Sequence, residues 1–480
     1  MTNLFNSSTL QLFNLSTLQL FNSCAILGLA LFIFSNCTRE EQQANILFLF
    51  SDDHTTQAIS AYGDGRIETP HLDQLAAEGI LFENCFCTNA ICAPSRAVVL
   101  TGLHSHLNGI IDNVQKFDGS QQTFPKLLQG AGYRTAIVGK WHLKSEPTGF
   151  DYWDVLPGQG EYFDPEFIEM GEKKVKPGYV TDIITDDALN WLSSYNYDQP
   201  FCLMVQHKAP HANWEWPESL KDEFKDVFRI PDTFDDDYAG KAEAIKFSSL
   251  KVGDYQWKLH YQYRFGEYPY DNDEEMYQRY MHDYMRCIRA VDDNVGRLLE
   301  GLKELGLEEN TVVIYSADQG FFLGEHGLYD KRFMYEESLR MPLIIKDPRL
   351  TSEEGGTRVS EMVLNLDFGP TILDICGVEI PENMQGKSFL PIVNGNRPNG
   401  WRTSMYYRFY ENFFEVGPQE GVRTERYKLI HFEYPEEGWE LYDLQEDPKE
   451  MKNLYEEFSF QSTVDSLKVE MQKLQKKIGM

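Results

Sequence analysis

Short apolar runs, each followed at once by polar residues, recur along the chain. Ile46–Phe50 (ILFLF) leads into Ser51, Asp52 and Asp53, and Thr135–Val138 into Gly139, Lys140, Trp141 and His142. Phe201–Val205 leads into Gln206, His207, Pro210 and His211, and Thr311–Tyr315 into Ser316, Ala317, Asp318, Gln319 and Gly320. Runs this short predict buried strands. Helical patterns lie between them, clearest where Tyr284, Ile288, Val291, Val295, Leu298, Leu302 and Leu305 alternate four and three apart before a Gly306 stop. Strands alternating with helices predict an α/β fold whose central, mostly parallel sheet is flanked by helices. Ligands of such folds bind beyond the carboxyl ends of the strands, so the four polar clusters are expected on one edge. A conventional core accounts for the apolar runs. It does not account for groups suited to catalysis following all four.

From about Trp401 the texture changes. Ser404–Tyr410, Gly421–Phe432 and Trp439–Leu444 read as antiparallel strands, with Asp447 and Pro448 turning the chain into a final amphipathic helix. The expected organisation is a large domain over 44–395 and a smaller C-terminal α+β subdomain over 396–480. Residues 214–273 are rich in acids and aromatics with weak periodicity and read as an insertion, either a lid or substrate wall or a solvated loop.

Seventy-five acids against 44 bases leave a formal charge of −31, which repels phosphate backbones and anionic headgroups. No nucleic-acid partner is expected, and membrane contact is expected only through a lipid anchor. An acidic protein that acts on an anionic substrate must concentrate Lys and Arg at its site, which favours small or terminal anionic groups over long polyanions.

The first 37 residues read as an export signal. Ala25–Phe34 (AILGLALFIF) is an apolar run of signal length, too short to span a bilayer comfortably, and Cys37 follows it as the residue for lipid anchoring. Two features depart from a lipoprotein signal: no charged residue precedes Arg39, and Asn36 stands where Gly, Ala or Ser is usual. STLQLFN also occurs twice, at 8–14 and 16–22, which suits a start site assigned too far upstream. The expected location is the periplasm or cell envelope. Of the eight cysteines, Cys24 and Cys37 fall in this region; Cys85 and Cys87 are too close to bridge easily, and Cys202, Cys287 and Cys376 sit in apolar segments as small hydrophobes.

Cys92 has a different setting. The adjacent carboxylates Asp52 and Asp53, with Asp318 and Gln319 from a second strand end, form an all-oxygen set suited to a hard divalent cation, calcium before magnesium and either before zinc. A turn or helix cap would explain Asp52 and Asp53 alone. The segment Cys92–Gly102 (CAPSRAVVLTG) decides between them, because it resembles the formylglycine signature of type I sulfatases, within the alkaline phosphatase superfamily. The resemblance extends to GKWH at 139–142, Pro210 and His211, DQGFFLGEHG at 318–327, Lys331, 427–430 and 440–448. Gln319 departs from the Asn or His often found at its position, but its amide oxygen remains a competent ligand.

The resemblance implies a mixed central sheet, a smaller C-terminal domain with an antiparallel sheet, and a calcium site of Asp52, Asp53, Asp318, Gln319 and matured residue 92. It further implies that a formylglycine-generating maturation enzyme converts Cys92 to an aldehyde, which hydrates to a diol. One hydroxyl, favoured as alkoxide by the cation and Arg96, attacks sulfur while Lys140 and Lys331 neutralise the sulfate oxygens. His211 protonates the leaving sugar oxygen. His142 takes the proton of the second hydroxyl, so that the sulfated hemiacetal collapses to aldehyde and sulfate. His207 is a candidate substrate contact. His104, His106, Glu325 and His326 read as supporting residues, and Trp257, Tyr261 and Tyr263 as packing or sugar-stacking aromatics.

The activity so implied is hydrolysis of carbohydrate sulfate esters. QHKAPHANW at 206–214 resembles bacterial carbohydrate sulfatases, including N-acetylglucosamine-6-sulfatases, so the expected substrate is a terminal N-acetylglucosamine-6-sulfate taken in exo fashion; galactose and uronate sulfates remain open. Two rivals stay open as well: a phosphodiesterase or phosphonate hydrolase of the same superfamily, and a glycan-binding surface protein without catalysis.

Overall fold

Asn45–Ser51 is buried at all seven positions, and a strand with no solvent face must lie in the middle of a covered sheet. A computed structural model of the chain, describing residues 43–63, 65–195, 198–253, 272–350 and 355–480, puts it there. The strands of the large sheet are β1 (Asn45–Ser51), β2 (Ile80–Phe82), β3 (Arg134–Lys140), β4 (Tyr152–Leu156), β5 (Glu166–Glu169), β6 (Glu172–Val175), β7 (Phe201–Gln206), β8 (Thr311–Ala317), β9 (Leu343–Lys346) and β10 (Thr357–Val359). Their order is β10-β2-β9-β8-β1-β7-β3-β4-β5-β6.

The five central strands, β8-β1-β7-β3-β4, run parallel. β9 is antiparallel to both β8 and β2, and β5 and β6 form an antiparallel meander at the other edge, so the sheet is mixed outside its centre. The four apolar runs are the adjacent strands β8, β1, β7 and β3. Phe50 is opposite both Ser316 and Gln206, and Gly139 is opposite Gln206, so the four carboxyl ends finish level. Burying each Leu or Phe of β1 contributes roughly 1.5–3 kcal/mol, and a one-residue slip would shift this whole register.

Gly139 makes the β3–β7 approach feasible. Its φ is +100°, and a Cβ there would lie 2.1 Å from the Gln206 carbonyl oxygen. The helices covering the sheet include α1 (Pro70–Glu78), α2 (Cys92–Thr101), α3 (Val180–Ser194), α4 (Asp273–Glu304) and α5 (Phe368–Ile375). α4 contains the helix expected from the Tyr284–Leu305 pattern, with Leu305 as its C-cap, and begins three turns earlier at Asp273, burying Met276, Tyr277, Tyr280 and Met281. Asn272 caps it, accepting from the Glu275 amide at 2.9 Å, and three acids in its first turn face the positive end of the helix dipole.

The C-terminal sheet contains β11 (Ser404–Phe409), β12 (Gln419–Thr424), β13 (Tyr427–Phe432) and β14 (Gly438–Asp443), antiparallel in sequence order. Gly421–Phe432 thus divides into parts of two strands, because Glu425 and Arg426 make a turn inside it. One face carries Tyr406, Val422, Leu429 and Leu441 against Val464, Leu467 and Met471 of α6 (Gln461–Ile478). The opposite face sends Tyr407, Phe409, Ile430 and Tyr442 into the main core, and 44–480 forms one compact unit.

Within the insertion, Trp216 Nε1 donates to Asp283 of α4 at 2.7 Å, and Leu250–Val252 hydrogen-bonds along 327–329, leading into Asp330 and Lys331. Trp257, Tyr261, Tyr263, Cys24, Cys37 and the export segment lie outside the described residues. Cys85, Cys87, Cys202, Cys287 and Cys376 are buried and unbridged. Among the described residues, no helix is long and apolar enough to cross a membrane.

Candidate active site

The polar clusters that follow β1, β3, β7 and β8 meet at the carboxyl edge, with α2 packed against them. Cys92 begins α2, a helix buried throughout its length, so residue 92 sits in the first turn, where unpaired amides and the helix dipole favour negative charge. The Ala93 amide donates to Asn113 Oδ1 at 3.0 Å. Ser95 Oγ donates to the Asp318 carbonyl and accepts from Asn365 Nδ2 at 2.9 Å, lashing the helix to the end of β8. Gly102, in the left-handed region, closes the helix.

Carboxylate oxygens of Asp52, Asp53 and Asp318 lie within 4.8 Å of one another, and Asp52 makes a second group of that tightness with Cys92 Sγ and His211. The Asp53 amide donates to Asp318 Oδ1 at 3.1 Å. Gln319 Nε2 donates to Asp53 Oδ1 at 2.5 Å and lies 3.9 Å from Cys92 Sγ. Burial pushes the Asp53 carboxyl up to about 6; Lys331 opposes the rise, and Asp318 and Asp330 add to it. Asp52 Oδ1 and Gln319 Oε1 are buried without a hydrogen-bond partner among the described residues. Oxygens orphaned beside crowded carboxylates fit a hard divalent cation.

Positive groups surround this cluster. Arg96 donates from Nε and Nη2 to Asp318 Oδ2 at 3.2 and 3.0 Å, and from Nη1 to the Lys140 carbonyl at 3.0 Å and Gln206 Oε1 at 2.9 Å. Its guanidinium lies over the Phe50 ring. The Lys140 ammonium bonds Asp52 and, at 2.5 Å, Gln159 Oε1. Burial pushes Lys140 well below the usual lysine range. Lys331 Nζ donates to both oxygens of Asp53 at 2.6 Å; burial works against its charge, but Asp53 and then Cys92 outweigh it and raise its pKa.

His142 is buried with φ +56°, and its Nδ1 has no hydrogen-bond partner among the described residues. Burial, then Lys140, Arg96 and Lys331, push it well below the histidine range, leaving a neutral base. His211 is the most open of these groups at 15% exposure, with Nε2 3.8 Å from Asp53 Oδ2. Burial pushes the Cys92 thiol up to about 12, so an unmodified thiolate is a poor nucleophile here.

The fold therefore gathers Asp52, Asp53, Cys92, Arg96, Lys140, His142, His211, Asp318, Gln319 and Lys331. His207 goes elsewhere: it is fully buried, with Nε2 3.3 Å from Thr185 Oγ1 of α3. His104 bonds Gln385, and His106 bonds the Ile478 carbonyl. Glu325 pairs with Arg66, and His326 with Asp236 and Lys241, so all four are supporting residues.

The sulfatase family profile matches residues 44–378, and the profile for the C-terminal part of N-sulphoglucosamine sulphohydrolase matches 324–477. The chain belongs to the sulfatase family. As a sulfatase it is a hydrolase of sulfuric esters. It is 43% identical to the N-acetylglucosamine-6-O-sulfatase of Bacteroides thetaiotaomicron, with 90% of this chain and 87% of that protein aligned. The solved structure of BT4656 in complex with its substrate, D-glucosamine-2-N,6-O-disulfate, superposes with a TM-score of 0.85 at 41% identity, covering 91% of this chain and 98% of that one. The phosphonate monoester hydrolase of Agrobacterium radiobacter superposes with a TM-score of 0.73 at 20% identity, over 91% and 96% of the two chains, a likeness of fold alone.

Sequence reasoning missed several residues of this sulfatase site. Gln159, which holds Lys140, lies in a Pro157–Gly160 turn with no periodic signal. Arg332 pairs with Glu411 at 3.2 Å and lies over the Phe413 and Phe414 rings, joining the segment that carries Lys331 to the C-terminal subdomain. Lys208 was legible as a base within QHKAPH, but its placement beside Tyr162 was not.

Proposed function

We propose that this sulfatase removes the 6-O-sulfate from N-acetylglucosamine at glycan ends, with Cys92 matured to formylglycine and a calcium ion held by Asp52, Asp53, Asp318, Gln319 and residue 92. The observation that carries the substrate is the 43% identity, over 90% of the chain, to an N-acetylglucosamine-6-O-sulfatase. A bound calcium ion would supply charge that favours the ionised hydroxyl of residue 92.

The residues then have separable tasks. Arg96 ties Asp318 to β3 and β7 and adds positive charge beside residue 92. Lys140 and Lys331, now paired with Asp52 and Asp53, turn to the sulfate oxygens and neutralise them. Burial, then Lys140, Lys331 and Lys208, push His211 well below the usual histidine range. It takes up a proton once the sulfate engages Lys140 and Lys331, and then gives it from Nε2 to the departing sugar oxygen. His142, kept neutral, takes the proton that frees residue 92 for the next turnover.

The reading includes export to the cell envelope through residues 1–37, anchoring at Cys37, and maturation of Cys92 by a formylglycine-generating enzyme. The deciding assay offers purified, formylglycine-bearing protein N-acetylglucosamine-6-sulfate, glucosamine-2-N,6-O-disulfate, galactose-6-sulfate, galactose-4-sulfate and a 2-O-sulfated uronate disaccharide at equal concentration. The expected order of kcat/KM puts the two 6-O-sulfated glucosamines first. A galactose or uronate sulfate ranking above both would overturn the substrate assignment while leaving the sulfatase assignment standing.

A further inference from the structure

Two residues with no catalytic task bear on His211 from behind. Tyr162, 2% exposed, donates its hydroxyl hydrogen to the His211 carbonyl at 2.6 Å and stacks on Tyr179 at a centroid separation of 5.9 Å. Lys208, 3% exposed, holds its ammonium 4.6 Å from the centre of the Tyr162 ring. The same ammonium donates to the Ala212 carbonyl at 3.4 Å. The Lys208 carbonyl accepts from the His211 amide at 3.0 Å, so 208–211 closes as a turn.

That turn sets the tautomer of the imidazole. His211 Nδ1 lies 2.6 Å from the Ala212 carbonyl oxygen. A carbonyl can only accept, so Nδ1 carries the hydrogen in this bond whether the ring is neutral or protonated. Proton exchange is thereby confined to Nε2, the nitrogen directed at the carboxylate cluster.

We propose that Tyr162 and Lys208 are positioning residues for leaving-group protonation: they hold the 208–212 turn and the Ala212 carbonyl so that His211 presents Nε2, and only Nε2, to the departing oxygen. This rests on the role of His211 given above. In that step the oxygen of residue 92 forms a bond to sulfur, and the bond between sulfur and the sugar oxygen breaks. The electron pair stays on the sugar oxygen, which takes the proton from Nε2. His211 is left neutral, with Nδ1–H still bound to Ala212. The aromatic face and the carbonyl are also what a buried ammonium needs, since Lys208 can keep its charge there only with such partners.

The test compares Tyr162→Phe, Lys208→Met, Lys208→Arg and His211→Ala in formylglycine-bearing enzyme, using the best substrate of the panel above. The readouts are kcat, KM and the 18O isotope effect of the leaving oxygen on kcat/KM, with a melting curve to verify folding. Losing the acid is expected to lower kcat by about 100-fold or more in His211→Ala and to raise the isotope effect, because negative charge then builds on the leaving oxygen. Tyr162→Phe and Lys208→Met are expected to lower kcat about tenfold, keep KM within about twofold and move the isotope effect towards the His211→Ala value. Lys208→Arg, which keeps a cation over the ring, is expected to recover most of the loss. A loss carried by KM with an unchanged isotope effect, or no loss in either variant, overturns the positioning role and leaves His211 as the acid. An unchanged isotope effect in His211→Ala overturns both.

Discussion

The Lys331 ammonium lies 2.6 Å from each carboxylate oxygen of Asp53, although 278 residues separate the two in the chain. One side chain thus links the carboxylate cluster to the segment that the C-terminal subdomain holds through Arg332 and Glu411. Lys331 leaving Asp53 for a sulfate oxygen requires another cation for Asp53. Chelating calcium is therefore expected to abolish turnover and lower the melting temperature. Restoring calcium to about 100 times its Kd should return about 2.7 kcal/mol of stability. Melting curves with chelator and with calcium check this; full activity in metal-stripped enzyme would exclude the calcium site.

Cys92→Ala should remove turnover and leave the fold intact. Replacing the small side chain of residue 92, thiol or matured aldehyde, by a methyl group costs on the order of 1 kcal/mol, small beside the core around α2. Activity with the aryl or sugar ester and a denaturant midpoint, measured on the same sample, separate the two effects. A midpoint far below the parent would make Cys92 a structural residue.

Arg96→Met is expected to damage stability as well as rate. It strips Asp318 of two hydrogen bonds and leaves the Lys140 carbonyl and Gln206 Oε1 without their donor. Breaking a buried, hydrogen-bonded ion pair from one side costs about 3–5 kcal/mol. Chemical denaturation of the variant measures it, and a loss below about 1 kcal/mol would show that Arg96 serves catalysis alone.

Glu337, away from the catalytic cluster, should impose a pH dependence. Burial, then the neighbouring Glu325 and Glu450 carboxylates, push it up from 4.5 to about 8, and its Oε2 has no hydrogen-bond partner among the described residues. Below pH 4.5 folded and unfolded chains both hold the proton. Between 4.5 and 8 only the folded chain does, so this contribution to stability declines as pH rises and is gone above 8. Glu337→Gln should therefore gain on the parent in melting temperature as pH climbs from 5 to 8. A difference that stays flat across that range would contradict the shift.

The pattern of residues by itself determined four of the five central strands, most of the long helix α4 and the identity of the groups at the strand ends. The reason is local: a buried parallel strand must be apolar at nearly every position, and an amphipathic helix must repeat at three and four. The Cys92–Gly102 signature was legible for a similar reason, since it is one contiguous segment that forms the whole of α2 and its glycine stop. The strand ends were expected on one edge because parallel strands bring their carboxyl ends together, and the register of Phe50 with Ser316 and Gln206 realises that expectation.

Only the tertiary structure decided how the groups are paired. Gln319 reaches Asp53 across 266 residues, and Arg96 reaches Gln206 across 110, contacts that no periodicity encodes. The sequence offers His211 as the acid and His207 as a candidate substrate contact, yet His207 packs against Thr185 while His211 faces the carboxylates. The turn after β7 and its anchoring by Tyr162 and Lys208 separate them. Side-chain direction beyond a strand end depends on such packing, and packing is a property of neighbours brought together by the fold rather than of positions along the chain.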